Sequence, residues 1–312
     1  MTKVSVVVPV YNEEGNVAEL HKEIKDVCEK NQYEYEIIFV NDGSSDRTEE
    51  ICKTMRPLKY ICLRRNFGQT AAMDAGIKAA QYDYIVTMDG DRQNDPADIP
   101  MMVQYLEEND LDVVSGWRKH RKDTIMKKFT SRGANLLRHI LVHDGIHDSG
   151  CSLKVYRKEC FEHITLYGEQ HRFIPAILKI KGFRVGEVVV NHRPRTVGKT
   201  KYNWKRTIKG FVDMISVWFW NKYSTRPLHL LGGMGFVFLL LGGGCGIWSV
   251  VLFCEGRKMS NNIFPPLLTV FFIIIGMLLF IFGLMSEILV KTYYGTHVDS
   301  SYSIKEISEY KK

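Results

Sequence analysis

Over the first two thirds of the chain, continuous apolar runs alternate with amphipathic stretches. Val4–Val8, apolar except at Ser5, has the pattern of a strand buried on both faces. Asn16 then stands where an N-cap belongs, ahead of Val17, Leu20, Ile24, Val27 and Cys28 at helical spacing. The alternation continues with strands at Tyr35–Val40, Tyr60–Leu63, Tyr84–Met88 and Val113–Ser115. Between them fall helices from about Thr48, over Thr70–Ala80, and over Pro96–Glu108 with proline near its start. A later strand is expected at Phe183–Val190. This order predicts an α/β domain of right-handed βαβ units on a mostly parallel, Rossmann-like sheet. Ligands of such sheets bind beyond the carboxyl ends of the strands. The polar turns within VPVYNEE, VNDGSSD and MDGDRQ all fall at those ends.

The pattern changes at Trp204. Ile208, Phe211, Val212, Ile215, Trp218 and Phe219 line one face against Lys205, Arg206, Lys209 and Asp213. That predicts an amphipathic helix lying in a bilayer interface. Leu228–Phe253 and Pro265–Val290 carry a single charge, Glu287, and each is long enough to cross a hydrocarbon core of roughly 30 Å. The short linker between them makes a transmembrane hairpin with both flanks on one side. Lys222, Arg226, Lys291 and the basic preceding domain assign that side to the cytoplasm, with Arg257 and Lys258 opposing. The expected division is a cytoplasmic catalytic domain (1–203), an interfacial segment (204–227), a hairpin (228–290) and a cytoplasmic tail (291–312). Gly232, Gly233, Gly235, Gly242–Gly244 and Gly246 permit close helix approach within or between chains, and a homo-oligomer is expected.

The net charge of +7 points to anionic partners: phosphates, nucleotides or a lipid headgroup surface. No helix-turn-helix, zinc-finger or RNP signature points to nucleic acid. The seven cysteines lack CxxC or metal-ligand spacing, which predicts reduced thiols in a cytosolic compartment, and no secretory signal is expected. Among the polar turns, Asp89 and Asp91 carry the most chemistry. At i and i+2 of extended backbone they would point the same way and offer hard oxygen donors to Mg2+ or Mn2+. An isolated acidic pair at a strand end is more often only a turn; its place beside two further ligand-like turns lifts it. Arg118, Lys119, Arg121, Lys122, Lys127, Lys128, Arg132 and Arg138 read half as a solvated face. Arg118, just past a strand, is the one placed to grip phosphate. HRPRTVGKTKYNWKR reads as a basic loop carrying phosphate ligands. Glu13 and Asp46 are equally readable as helix-capping acids, while Gly68 and Gly76 suit turns and packing. The first strand leads into PVYNEE without G-x-G-x-x-G, which disfavours a nicotinamide dehydrogenase.

The ordered set VVVPVYNEE, VNDGSSDRT, RRNFGQTAAMDAG, MDGDRQNDP, D-x-G at Asp148–Gly150 and R-x-x-G-x-T-K-Y resembles glycosyltransferase family 2. Within it, the polyprenyl-phosphate glycosyltransferases are the nearer resemblance. It covers residues 3–210 by motif and the hairpin by architecture. The resemblance implies a GT-A fold and inverting transfer from a nucleotide-diphosphate sugar to a polyprenyl phosphate with Mg2+ or Mn2+. Pro9, Tyr11 and Glu13 would cradle the nucleotide and Asp42 would bond the base. Asp89 would face the sugar-nucleotide, with Asp91 and Gln93 completing the metal site. Arg118, Arg195 and Lys201 would hold donor or acceptor phosphates. A phosphate monoester, with a second pKa of about 6, is already an anion, so Asp148 is expected to position the acceptor rather than act as an obligatory base. A UDP-hexose or UDP-N-acetylhexosamine donor is favoured. Arg92 departs from the family's apolar residue in D-x-D-x-Q, and Thr200 from its serine. Two rivals remain. A processive polysaccharide synthase usually carries Q-x-x-R-W, which Gln170-His171-Arg172-Phe173 does not match. A non-catalytic sugar-nucleotide-binding membrane partner would have no need of the metal pair.

Overall fold

The first apolar run forms β1 (Lys3–Val10), an interior strand of the sheet. β2 (Glu34–Asn41) lies parallel on one side, in a register from Lys3↔Glu34 to Val10↔Asn41. β4 (Tyr84–Thr87) lies parallel on the other, and β3 (Lys59–Cys62) extends the parallel set beyond β2. With β5 (Val113–Trp117), β6 (Lys154–Arg157) and β7 (Val185–Val189), the described strands run in the order β3-β2-β1-β4-β6-β5-β7. β6 alone is antiparallel to its neighbours, β4 and β5. The computed structural model describes residues 1–119, 145–162, 164–166, 168–194, 215, 218–219, 222–223, 226–257 and 262–296. The chain forms two compact units, Met1–Trp218 and Phe219–Lys312.

β1 is apolar except at Lys3 and Ser5 because both faces of the sheet are covered. Val4, Val6, Val8 and Val10 pack with α1 (Val17–Lys30) and α4 (Ile99–Glu108), whose buried residues include Leu20, Ile24, Met102 and Leu106. Val7 faces the opposite layer with Ile38, Val40 and Ile85, against α3 (Gln69–Ala79) and α5 (Ile174–Ile180). α3 can sit this close because of Gly76, where a Cβ would lie 2.4 Å from Val7 Cγ1. Gly68 has φ 98°, as a turn glycine should. α2 (Thr48–Thr54) completes the second βα unit.

Two capping expectations come out differently. Asn16 precedes α1 but makes no side-chain cap; its Nδ2 donates instead to Glu13 Oε2 at 2.7 Å. Asp46 does serve a helix start, accepting from Thr48 N at 3.0 Å. Pro96–Asp98 forms a 3-10 turn ahead of α4 rather than its first α-helical turn.

In the second unit, α6 (Pro227–Cys254) and α7 (Phe264–Thr296) pack as a hairpin. Glycines bring their backbones together: a Cβ on Gly235 would lie 2.7 Å from Gly276 O, and one on Gly242 2.8 Å from Ile273 Cγ1. Gly233, Gly243 and Gly244 meet nothing. Both helices are long and apolar enough to cross a membrane, and Phe236, Leu240, Ile247, Leu267 and Ile288 are exposed. Apolar surface of this extent fits hydrocarbon rather than water. Glu287 pairs with Lys291 at 3.2 Å, and no further role falls to it. Most of the amphipathic helix expected over 204–220 lies outside the described residues.

Candidate active site

The turns after β1 and β2 are bonded to one another. Asn12 N donates to Ser44 Oγ (3.0 Å), Ser45 N to Asn12 Oδ1 (2.8 Å) and Glu13 N to Thr48 Oγ1 (2.9 Å). Asn12 has φ 52°, a conformation asparagine tolerates better than most residues. The acidic turn approaches the end of β1 at Gly90, where a Cβ would lie 2.9 Å from Val10 Cγ1 and 3.2 Å from Pro9 O. Pro9 thus borders the turn that carries Asp89 and Asp91, and Tyr11 and Glu13 lie on the segment that follows β1.

Asp42 is only 3% exposed. Its two oxygens accept from Phe67 N (2.7 Å) and Gly68 N (2.9 Å), so it anchors the loop that enters α3. Any bond to a base would use its remaining lone pairs.

β4 ends at Thr87, and Asp89 and Asp91 sit on the turn beyond it, with Arg92 at φ 60°. The expectation of an alternating pair on extended backbone is therefore corrected: the turn, not strand periodicity, sets their geometry. They remain electrostatic neighbours. Loss of solvent and the charge of Asp91 push the Asp89 carboxyl above its usual value, opposed by a hydrogen bond with Ser152 and by Arg118 and Lys154. Gln69 Nε2 also donates to Asp89 Oδ1 at 2.6 Å. Asp91, 6% exposed, accepts from Gln93 N at 3.1 Å. Like charges held in a poorly solvated turn favour a cation. Among the described residues no three or more His, Cys, Asp or Glu side chains converge. A divalent ion would therefore rest on Asp89, Asp91 and Gln93 with substrate oxygens, a donor set that suits Mg2+.

Arg118 follows β5 directly and grips Asp148 with a fork: Nε to Oδ2 at 2.7 Å and Nη2 to Oδ1 at 3.0 Å. Burial works against the guanidinium charge, but the bond to Asp148 outweighs it and holds the Arg118 pKa above its ordinary value. Glu187 on β7 accepts from His147 N (3.0 Å) and Asp148 N (2.9 Å), fixing the Asp148 turn from behind. In this state Arg118, expected to reach phosphate, is committed to Asp148.

Lys154 opens β6 beside these groups and is 2% exposed. Burial pulls its pKa down to about 8, against the attraction of Asp148 and Asp89. Sequence reasoning does not single out Lys154, Gln69 or Ser152. A lysine inside the apolar run Cys151–Tyr156 is the available signal, since a charge there must be paired. Arg195 and Lys201, and the basic residues over 121–138, lie outside the described residues.

An open α/β sheet with acidic and basic turns gathered at its carboxyl edge defines a GT-A-like transferase. Residues 5–165 match the model for Glycosyl transferase family 2, to which this chain belongs. Dodecaprenyl-phosphate galacturonate synthase from Rhizobium johnstonii is 37% identical, covering 98% of this chain and 93% of its own. An undecaprenyl-phosphate 4-deoxy-4-formamido-L-arabinose transferase from Yersinia enterocolitica is 33% identical with the same coverage of 98% and 93%. Among solved structures, glucosyl-3-phosphoglycerate synthase from Mycobacterium tuberculosis with Mn2+, UDP and phosphoglyceric acid aligns at TM-score 0.56. It shares 15% identity, over 70% of this chain and 78% of that one, which shows the fold alone.

Proposed function

We propose that this protein moves one sugar from a nucleotide-diphosphate sugar onto a polyprenyl phosphate, with inversion. The donor is a UDP-hexose or UDP-N-acetylhexosamine, and the product a lipid-linked monophosphate sugar. The observation that carries the reading is that Asp89 and the buried Asp91 are electrostatic neighbours on one turn, with Arg118 and Lys154 acting on Asp89. Relatives named for polyprenyl-phosphate substrates, and the apolar hairpin, support a lipid acceptor.

Pro9, Tyr11 and Glu13 line the nucleotide, and Asp42 with its anchored loop meets the base. Asp89 faces the sugar end, while Asp91 and Gln93 hold Mg2+ or Mn2+. Asp91 and Gln93 would hold such an ion where it would supply positive charge toward the leaving diphosphate. An acceptor phosphate oxygen forms the bond to the anomeric carbon as the bond to the donor's β-phosphate oxygen breaks and the nucleoside diphosphate departs. Lys154 and Arg118 stabilise the same charge through a site that excludes water. The acceptor arrives as an anion and needs no proton removed, so Asp148 orients Arg118 and the acceptor. Arg195 and Lys201 are assigned to the phosphates. The domain boundaries at 203 and 227, the cytoplasmic placement of the catalytic domain and both termini, and a homo-oligomer belong to the same proposal.

Purified full-length protein, undecaprenyl phosphate and a panel of nucleotide sugars, uronic acids included, test it by product mass. The expected product is the lipid phosphate plus one sugar, lost with EDTA and in Asp91→Ala. Asp148→Asn should retain more than a ~10⁻⁴ fraction of turnover, the loss expected when a general base is removed. Product formation undiminished by EDTA and by Asp91→Ala would remove the metal assignment. No product from any donor would remove the reading.

A further inference from the structure

Arg92 replaces an apolar residue of the family pattern, and the structure gives it partners outside the turn. Its backbone is left-handed (φ 60°), unfavourable for a side chain this large, so something must hold it. Its Nη2 donates to Glu23 Oε1 on α1 at 2.5 Å. The other oxygen of Glu23 accepts from Arg193 Nη1 at 2.7 Å, and Arg193 Nη2 donates to Asp95 Oδ1 at 2.7 Å. The backbone follows the same path: Arg193 N donates to Gln93 O at 2.9 Å, and Asn94 forms an antiparallel bridge with His192. Asn191 fixes the start of this segment through two bonds to Asp98, at 2.7 and 2.9 Å. All three of Glu23, Arg92 and Arg193 are partly shielded, with side chains 23, 24 and 36% exposed.

We propose that Glu23 is a positioning residue for the transfer reaction. By binding Arg92 and Arg193 at once, it latches the turn carrying Asp91 and Gln93 to the segment Asn191–Arg193 that follows β7. The inference rests on the functional reading above for what the latch serves, though not for its existence. Without the Glu23 charge, Arg193 keeps Asp95 as its partner, while Arg92 loses the carboxylate that holds it and is released next to Asp91, where its charge opposes a divalent cation. Donor grip and the placement of the segment after β7 are therefore set together.

Glu23→Gln in the full-length, ligand-free protein tests this by amide hydrogen exchange, alongside calorimetric titration with UDP and Mn2+. Exchange should rise about tenfold in both Gly90–Asp95 and Asn191–Arg193, while β1 and β2 keep their protection, and UDP affinity should fall about tenfold. Arg193→Gln should reproduce both effects. The double variant should be no worse than either single one, as members of one network are non-additive. A purely structural Glu23 would loosen α1 and lower the melting temperature while leaving UDP affinity unchanged; that result, or unaltered exchange over Asn191–Arg193, overturns the proposal. A wild-type protein that binds no UDP would instead overturn the functional reading, with the exchange data still deciding the latch.

Discussion

At the residue scale, Lys154 sets stability against function. Its charge is costly where it sits, since burial pulls its pKa to about 8 from an ordinary value of ~10.4. The unfolded chain then binds more protons than the folded one between those values, so this group makes stability rise with pH across that window. Lys154→Met should raise the melting temperature at pH 7.5, and the advantage over wild type should narrow towards pH 10. Turnover should fall about a hundredfold, the usual scale for removing one group that stabilises transition-state charge. Parallel melting curves and rates for the two proteins check both signs. A variant that melts lower at pH 7.5 and turns over normally would make Lys154 a structural cation only.

At the element scale, the strands and helices of the first two βαβ units were legible because their apolar residues recur at fixed periods over many positions. β1, β2 and α1 are the clearest cases. β6 and α5 were not, since KVYR opens on a lysine and IPAILKI is apolar at nearly every position, so neither carries a strand or helix pattern of its own. The same limit applied to the site. The acids of MDGDRQ were visible, but the left-handed Arg92 and its hold on Glu23 depend on a contact 69 residues away that no local pattern carries. In the hairpin, glycine content was legible and its direction was not: Gly235 and Gly242 face α7, while Gly233, Gly243 and Gly244 do not. Gly276→Leu should therefore force the helices apart, because its Cβ would lie 2.8 Å from Gly235 O, a backbone atom that cannot rotate away. Gly243→Leu, with open space around it, should be tolerated by the hairpin. Cysteine cross-linking between α6 and α7 in each background reads the separation. Equal yields would mean that the glycines do not set the contact.

At the scale of the whole molecule, the proposed reaction divides its substrates between the two units. Every described residue assigned to the donor, from Pro9 to Gln93, lies in Met1–Trp218, and both membrane-length helices lie in Phe219–Lys312. A nucleotide sugar arrives from water, whereas a polyprenyl phosphate keeps its chain in lipid, each buried methylene holding it there by about 0.8 kcal/mol. In the proposed reaction the hairpin would keep the enzyme on the surface that concentrates the acceptor, and no donor-binding role is assigned to it. Ending the chain after Arg226 should leave UDP affinity within about threefold of wild type, less than ~1 kcal/mol. Turnover on undecaprenyl phosphate in vesicles should fall at least ~tenfold, through the loss of the anchoring that two apolar spans provide. A short-chain, water-soluble prenyl phosphate should narrow the gap between truncated and full-length protein, because both then meet the acceptor in solution. Strand protection in hydrogen exchange certifies that the truncated protein is folded. If it is folded and loses UDP binding as severely as lipid glycosylation, the hairpin supports the donor site itself and the division of labour is wrong.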